Sequence, residues 1–544
     1  MRTFQGSSAT RLISRYCSPT VVLAIVAIAL ASPPVAQEVE CRNGLATLPN
    51  VGSFQCDAVD LVGYMSPASF SVSGSPAAEH NDIWGWTDPE TGTEYALVGT
   101  QNGVGFVSLE DPAFPVLVGK LPTPNGRSST WRDVKVYAGH ALIVADSSPR
   151  HGMQVFDMAR LRDVDLEDGP VVFEQDANYD GISSAHNIVV NEETGFAYAV
   201  GYRYSPGDRA ARGLPAECDE PGFHTIDVRD PRNPTFAGCF SDAALEADPY
   251  IAPGYTHDGQ CVTYRGPDAD YTGRELCFAA NEDVVTVFDV TDKGAVRVIS
   301  QGEYPNDVYT HQGWLTADQR YFLINDEIDE STLNISQRTI VMDLTDLDNP
   351  GDVFIYDSGL NTIDHNLYTV GRYAFQANYE SGLRILDLDE IGSGSIREVA
   401  FFDTYPRRTG RNYQGAWSVY PYFESGIVIV NDIDNGLFVL RPDASLAVSA
   451  EAPAQPSGFA LSSPAPNPTS AGARLDLEVG SAQHVRAELF DVAGRRVAQI
   501  FDGAVAAGTP IVLEVERGSL PAGVYVIRVV GDRFETSRQI ALVR

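Results

Sequence analysis

Positive charge is scarce in this 544-residue chain: 38 Lys and Arg stand against 73 Asp and Glu, a net charge of −35. A nucleic-acid backbone needs a basic face, so that class of partner is excluded. Docking on anionic lipid is disfavoured for the same reason. The acid excess allows cation binding, and it suits a salty or extracellular setting where charge maintains solubility. Long apolar runs are lacking too. Val21–Ala31 comes nearest, and it is too short to span a bilayer with ordinary flanks. The chain has no G-x-S-x-G elbow, no H-E-x-x-H, no Walker loop and no dinucleotide fingerprint in the right context. Cysteines number only seven and none forms a C-x-x-C pair, which argues against a zinc site.

What is present is globular: 44% hydrophobic and 10% aromatic residues, with 48 Gly and 33 Pro that imply many turns and favour β structure. Arg2, Arg11 and Arg15 precede the apolar run, and small residues from Ser32 to Ala36 follow it. That order reads as a secretory signal over 1–36. Setting Cys17 aside with it leaves Cys41, Cys56, Cys218, Cys239, Cys261 and Cys277. An even number in an exported chain suggests disulfides. Spacing favours the local pairs 41–56, 218–239 and 261–277, although six cysteines allow about fifteen connectivities.

One unit recurs through the middle of the chain. An apolar strand such as Leu276–Ala280 is followed by a short loop and a second strand ending in Asp, such as Thr286–Val290. Seven such pairs run from Tyr95 to Arg441. A polar dipeptide marks an opening strand in each unit: His80-Asn81, Arg132-Asp133, His186-Asn187, His257-Asp258, His311-Gln312, His365-Asn366 and Trp417-Ser418. Their first positions lie 52, 54, 71, 54, 54 and 52 residues apart. Insertions around Arg203–Gly222 and Ser241–Gly254 account for the long interval. Six units close with a fourth strand: Val116–Leu121, Val171–Gln175, Thr235–Phe240, Val296–Gln301, Asp352–Tyr356 and Glu398–Phe402. Four short strands per unit of roughly 50 residues is the pattern of a β-propeller blade. The seventh unit stops at Arg441, and Ala58–Met65 stands alone before the first. This lone strand is expected to complete the seventh blade and remove an open edge. After a linker at 443–464 rich in Ala, Ser and Pro, strands return over 465–544 with the spacing of a small β-sandwich. The expected organisation is therefore all-β: signal 1–36, N-terminal segment 37–78, seven-bladed propeller 79–442, linker and sandwich.

In a propeller the dipeptides ring one mouth of the central channel. His80, Arg132, Asp133, His186, His257, His311, His365 and Trp417 are thus the expected ligand face, and five of the nine histidines sit there. Carboxylates after the second strands, including Asp326 and Glu327, share that face. His186, His257, His311 and His365 with Asp326 and Glu327 have the chemistry of a transition-metal set, and such a metal could activate water for hydrolysis. The same residues also suit repeated hydrogen bonds between blades, as the Gly-His element of WD-type propellers makes. Asp176, Asn178 and Asp180, followed by Gly181, resemble the start of a calcium loop, although Asn187 stands where the closing Glu belongs. The five tryptophans lie in or near opening strands, as core packing or as the floor of a sugar-binding funnel.

Two family resemblances rest on these residues. The tail carries PAPNP (Pro464–Pro468), LFDVAGRRV (Leu489–Val497), LPAGVYVIRV (Leu520–Val529) and a final Arg544. It resembles the C-terminal sorting domain of type IX secretion, which implies export by that machinery, removal of the domain and release or attachment at the cell surface. Strands such as Val285–Asp289 (VTVFD) and Arg384–Leu388 (RILDL) resemble LVIVD repeats. Signal, LVIVD-type propeller and exchangeable anchor together resemble the choice-of-anchor B family, a resemblance that covers about Cys56–Pro442. It implies architecture and a secreted or surface location, not a reaction. Three function classes follow: a binding platform for an extracellular protein, glycan or cation-bridged ligand, a metal-dependent hydrolase or oxidase, and a structural surface-layer component. The sequence leaves the cofactor open, with a divalent cation, calcium or a transition metal, as the candidate, and no transmembrane segment is expected in the mature chain.

Overall fold

The structure is a computed structural model. It describes residues 38–446 and 459–543, except 73, 167–168, 205–207, 212, 216–217, 219–220, 243–253, 352, 462–468, 480–482, 492–494, 507–510, 519 and 532–534. The expected signal, most of the linker, the PAPNP run, most of the second insertion and Arg544 lie outside the described residues.

Seven sheets are built from consecutive antiparallel strands. Sheet 1 takes His80–Thr87, Glu94–Thr100, Gly103–Ser108 and Val116–Pro122. Sheet 2 takes Arg132–Tyr137, His140–Ala145, Met153–Asp157 and Ala177–Tyr179. Sheet 3 takes Asn187–Asn191, Phe196–Val200, Phe223–Asp227 and Thr235–Phe240. Sheet 4 takes Asp258–Thr263, Glu275–Ala280, Val285–Asp289 and Arg297–Gly302. Sheet 5 takes Thr310–Leu315, Tyr321–Asp326, Arg338–Asp343 and Val353–Asp357. Sheet 6 takes Asn366–Val370, Tyr373–Ala377, Leu383–Asp387 and Arg397–Phe402. Sheet 7 takes Ala416–Tyr420, Val428–Asp432, Gly436–Pro442 and, from far upstream, Val59–Met65. The upstream strand pairs antiparallel with the third strand, Val59 opposite Pro442 and Met65 opposite Leu437.

Sequence pattern explains the order of burial. Second and third strands such as Glu275–Ala280 and Val285–Asp289 are buried on both faces, so they read as continuous apolar runs. Fourth strands such as Val353–Asp357 are half exposed and alternate. Each sheet stacks on the next through its own apolar cluster: Leu97 and Phe106 meet Ile143 and Phe156, for example, and Leu323 meets Leu367. Sheet 7 packs on sheet 1 through Ile429 and Val439 against Ile83 and Val98. The first strands of successive sheets also lie side by side, and that of sheet 7 lies beside that of sheet 1.

The fourth strand of sheet 2 departs from the expected pattern. Val171–Val172 does not close sheet 2. It pairs in parallel with Val116–Pro122 at the edge of sheet 1, and Ala177–Tyr179 takes the closing place. Lys120 O accepts from the Phe173 N–H, and Phe173 packs on Phe106 and Phe156, which holds the run to sheet 1.

Three disulfides join Cys41–Cys56, Cys218–Cys239 and Cys261–Cys277. The last cross-links directly opposed residues of one hairpin. The hairpin Leu45–Leu48 with Gly52–Asp57 extends the outer edge of sheet 6. The C-terminal module has two sheets, Phe459–Leu461 with Gly472–Val479 and Ile511–Glu516, and Arg496–Val505 with Gln483–Asp491, Gly523–Val530 and Glu535–Leu542. Leu475, Leu477, Val485, Leu489, Leu513 and Ile527 form its core between them. Among the described residues no helix is long and apolar enough to cross a membrane.

Candidate functional site

The histidines that open the first strands of sheets 3 to 6 converge. Ring centroids are 4.3 Å apart for His186–His257, 4.3 Å for His257–His311 and 4.6 Å for His311–His365. Trp417 continues the arc at 5.1 Å from His365. Backbone carbonyls fix the rings: His257 Nδ1 donates to His311 O at 2.9 Å, and His365 Nδ1 donates to Trp417 O at 2.6 Å. A proton on Nδ1 leaves Nε2 of His257 and His365 with a free lone pair, the state a metal requires.

Glu327, from the loop after the second strand of sheet 5, meets two of these rings. His311 Nε2 and His365 Nε2 each lie 3.8 Å from one of its carboxylate oxygens. The ligand atoms of these three residues fall within 4.8 Å of one another. Tyr379 OH donates to Glu327 at 2.6 Å, and Tyr309 OH donates to Glu282 at 2.5 Å. Burial raises the Glu327 carboxyl to about 7 and lowers His365 to about 3. His257 and His311 are held well below their ordinary value by burial and by neighbouring imidazoles. His186 instead faces Asp146 at 3.2 Å. Burial raises Asp146, but His186, the Ser147 N–H and Arg203 outweigh it and keep the carboxyl low.

Two exposed rings flank this bowl. Trp131 is 42% exposed beside His186, and Tyr413 is 51% exposed across Tyr379. Beneath the histidines lies a cavity of about 20 Å³, room for one water or one ion, lined in part by Asp82, Asp133, Lys135 and Asp258. Lys135 Nζ sits 2.5 Å from Asp133 and 3.6 Å from Asp82, and 4.6 Å above the Trp84 ring.

Second dipeptide positions, and Asp82 in sheet 1, latch neighbouring sheets together. Ile188 N–H donates to Asp133 at 2.7 Å, Val134 N–H to Asp82 at 3.2 Å and Leu367 N–H to Gln312 at 3.1 Å. Cross-sheet bonding and a convergent imidazole arc therefore coexist.

Three expected members are elsewhere. His80 is displaced by a register shift between His80 and Ile83, so Asp82 lines the cavity instead. His80 bonds Asn431 and packs on Phe70. Arg132 turns back between sheets 1 and 2, where it donates to Thr100 O and Thr123 and meets His151. Asp326 is taken up by Tyr304 OH and the N–H groups of Val308 and Tyr309. The trio Asp176, Asn178 and Asp180 flanks and includes the short strand Ala177–Tyr179. Asp176 pairs with Arg160, and the Asn178 amide donates to His151 O. Lys135 was not singled out from sequence, although its place two residues after Asp133 puts both on one strand face. Tyr309 and Tyr379 carry no local signal. Trp84 and Trp314 both pack against Tyr368.

No family model matches the sequence, and no curated protein matches it. Among solved structures the chain is similar to a protein from Lactobacillus plantarum, 12% identical with a TM-score of 0.40, covering 80% of this chain and 99% of that one. It is also similar to U3-55K, 9% identical with a TM-score of 0.42, covering 67% and 95%. Likenesses this distant carry no argument about activity.

Proposed function

We propose that this chain is an exported, surface-delivered β-propeller of the choice-of-anchor B type with a type IX sorting module. Its channel mouth acts as a binding platform centred on one divalent transition-metal ion. Seven stacked sheets, each with four antiparallel strands at its heart, the last packed on the first and completed by an upstream strand, support a closed seven-bladed ring. Three disulfides support an oxidising, extracellular destination. The observation that carries the metal reading is the meeting of His311 Nε2, His365 Nε2 and the Glu327 carboxylate. Two imidazoles and one carboxylate suit zinc, iron or nickel better than calcium or magnesium, and they leave coordination positions for a ligand. The exposed faces of Trp131 and Tyr413 offer flat apolar surfaces for a glycan ring or a protein side chain. The Glu282–Tyr309 pair near the same mouth favours a second reading, a metal-dependent hydrolase or oxidase, because it offers a proton-handling pair.

The test is metal analysis of the full chain purified without chelator, beside a His311→Ala, His365→Ala double variant. About one transition-metal ion per chain, absent from the variant, is expected. Metal-free wild type overturns the metal-centred platform and leaves the histidines as latches. Turnover of ester or phosphoester substrates by the loaded wild type, lost in the variant, selects the hydrolase.

A further inference from the structure

A cleft of about 710 Å³ opens between the N-terminal hairpin and sheet 7, and it shares no residue with the cavity beneath the histidines. Small-molecule sites occupy roughly 300–1,000 Å³. The hairpin turn, Asn50 to Ser53, forms one wall, and Phe54 packs 5.4 Å from Phe438 to hold the hairpin against sheet 7. Tyr64 and Ser66, from the upstream strand and the turn after it, form a second wall, and the Tyr64 ring is set by Phe438 at 5.1 Å. Arg407, from the loop between sheets 6 and 7, and Asn435, from a turn of sheet 7, lie on the remaining side. Asn435 Nδ2 donates to Thr404 O at 2.8 Å, which leaves Oδ1 as an acceptor.

No Asp, Glu or Lys lines this cleft, in a chain with 73 acidic residues. The cause lies in two segments: no charged residue occurs between Arg42 and Asp57, nor between Asp60 and Glu79. These segments bring amides and hydroxyls to the surface instead, and Asn50, Ser53 and Ser69 are exposed. Arg407 is the one charge of the cleft. Its neighbours in the loop are committed elsewhere, Arg408 to Glu380 and Arg411 to Asn334 and the Ile335 carbonyl. Arg407 is exposed, lies 5.9 Å over the Tyr405 ring and pairs with no carboxylate among the described residues. A lining of hydroxyls, amides and one phenol ring suits a polyhydroxylated ring better than an apolar ligand. A guanidinium without an acid suits a carboxylate, which it can hold by two parallel hydrogen bonds. The net charge of the chain acts weakly here, because charges farther away than about 10 Å are screened at roughly 0.1 M salt. We propose that this cleft binds a saccharide that bears a carboxylate, a uronic acid unit, with the carboxylate on Arg407. The site is separate from the channel mouth and stands or falls without a metal.

The full chain is titrated by calorimetry with a trimer of galacturonate, and with the same trimer after its carboxylates have been reduced to alcohols. One site is expected for the acidic trimer, which binds at least about tenfold more tightly than the reduced one. Arg407→Gln brings the acidic trimer down to the affinity of the reduced trimer and leaves the reduced trimer unchanged. Val51→Glu sets a carboxylate in the turn and weakens the acidic trimer more than the reduced one. Both positions are exposed, so both variants are expected to keep the unfolding midpoint of wild type. The His311→Ala, His365→Ala variant keeps the binding, and a loss there moves the site to the channel mouth and overturns the proposal. Absence of binding by the acidic trimer overturns it, as does equal binding of the two trimers. Binding that survives both Arg407→Gln and Val51→Glu overturns the location. Tighter binding of a triglutamate peptide than of the acidic trimer overturns the saccharide in favour of a protein ligand.

Discussion

Replacing Lys135 with methionine removes the one cation that, among the described residues, pairs with Asp82 and Asp133 beneath the histidine arc. Lys135 is 13% exposed at its side chain, Asp133 4% and Asp82 6%. Burial pushes Asp82 well up, Lys135 only partly offsets it, and the neighbouring Asp133 adds to the rise. Burial also raises Asp133, but Lys135, Asp82 and the Ile188 N–H outweigh it and keep Asp133 ionised. Lys135→Met therefore strands one buried carboxylate, a loss on the order of 3–5 kcal/mol at pH 7. Lys135 itself titrates above its ordinary value, so its contribution is fully present throughout the pH range 5–8. Asp133 titrates below its ordinary value in wild type, and its stabilisation is lost only as pH falls through that depressed value. In the variant Asp133 takes up a proton more readily, so the penalty shrinks towards pH 5. Adding Asp133→Asn removes the stranded charge and keeps an acceptor for Ile188, which should bring stability back to within about 1–2 kcal/mol of wild type. Urea unfolding followed by tryptophan fluorescence is the assay, because all five tryptophans lie between 84 and 417 and none reports on the C-terminal module. A single variant within about 1 kcal/mol of wild type, or a double variant worse than the single, refutes the reasoning.

Two further outcomes are expected. His224 is held between Tyr179 and Tyr204 and burial lowers it to about 3, so the unfolded chain alone takes up its proton as pH falls through 6.5. Wild type should lose roughly 2 kcal/mol more than His224→Gln between pH 7 and pH 5, read from unfolding free energies at the two pH values; parallel profiles would contradict the assignment. Gly85→Ala places a Cβ 2.1 Å from the Tyr420 ring and 2.7 Å from Phe423, where sheet 1 meets sheet 7. A loss of about 1–3 kcal/mol is expected in urea unfolding, and an unchanged midpoint would mean that the two sheets do not approach so closely.

Much of the fold is legible because burial on both faces forces continuous apolar runs, and these recur at nearly fixed spacing. The lone strand Val59–Met65 was legible by elimination, since the seventh unit lacked one. Val171–Val172 misled because a short apolar run does not say which edge it will join, and Phe173 carries it to sheet 1. The histidine arc was legible as a repeated position. His80 was not separable from it, because the register shift before Ile83 is a backbone event with no mark in the spacing. Arg132 and Asp326 fill expected places with unexpected aims, and only three-dimensional neighbours decide an aim.

The pairing of Val59–Met65 with Leu437–Pro442 has a consequence for how the chain comes into being. A chain made or threaded N-terminus first presents this strand at the outset, yet its partner emerges roughly 375 residues later. Sheet 7 cannot be completed until the chain has been delivered as far as Pro442, and a pairing of such long sequence separation is slow to form. Until then the strand is an exposed edge open to chance pairing with other chains. The Cys41–Cys56 bridge lies just before the strand and can form early, tethering the N-terminal hairpin while the strand waits for its partner. Sheet 7 is therefore the last of the seven sheets to be completed, and a molecule trimmed near its start would leave the third strand of that sheet as an open edge.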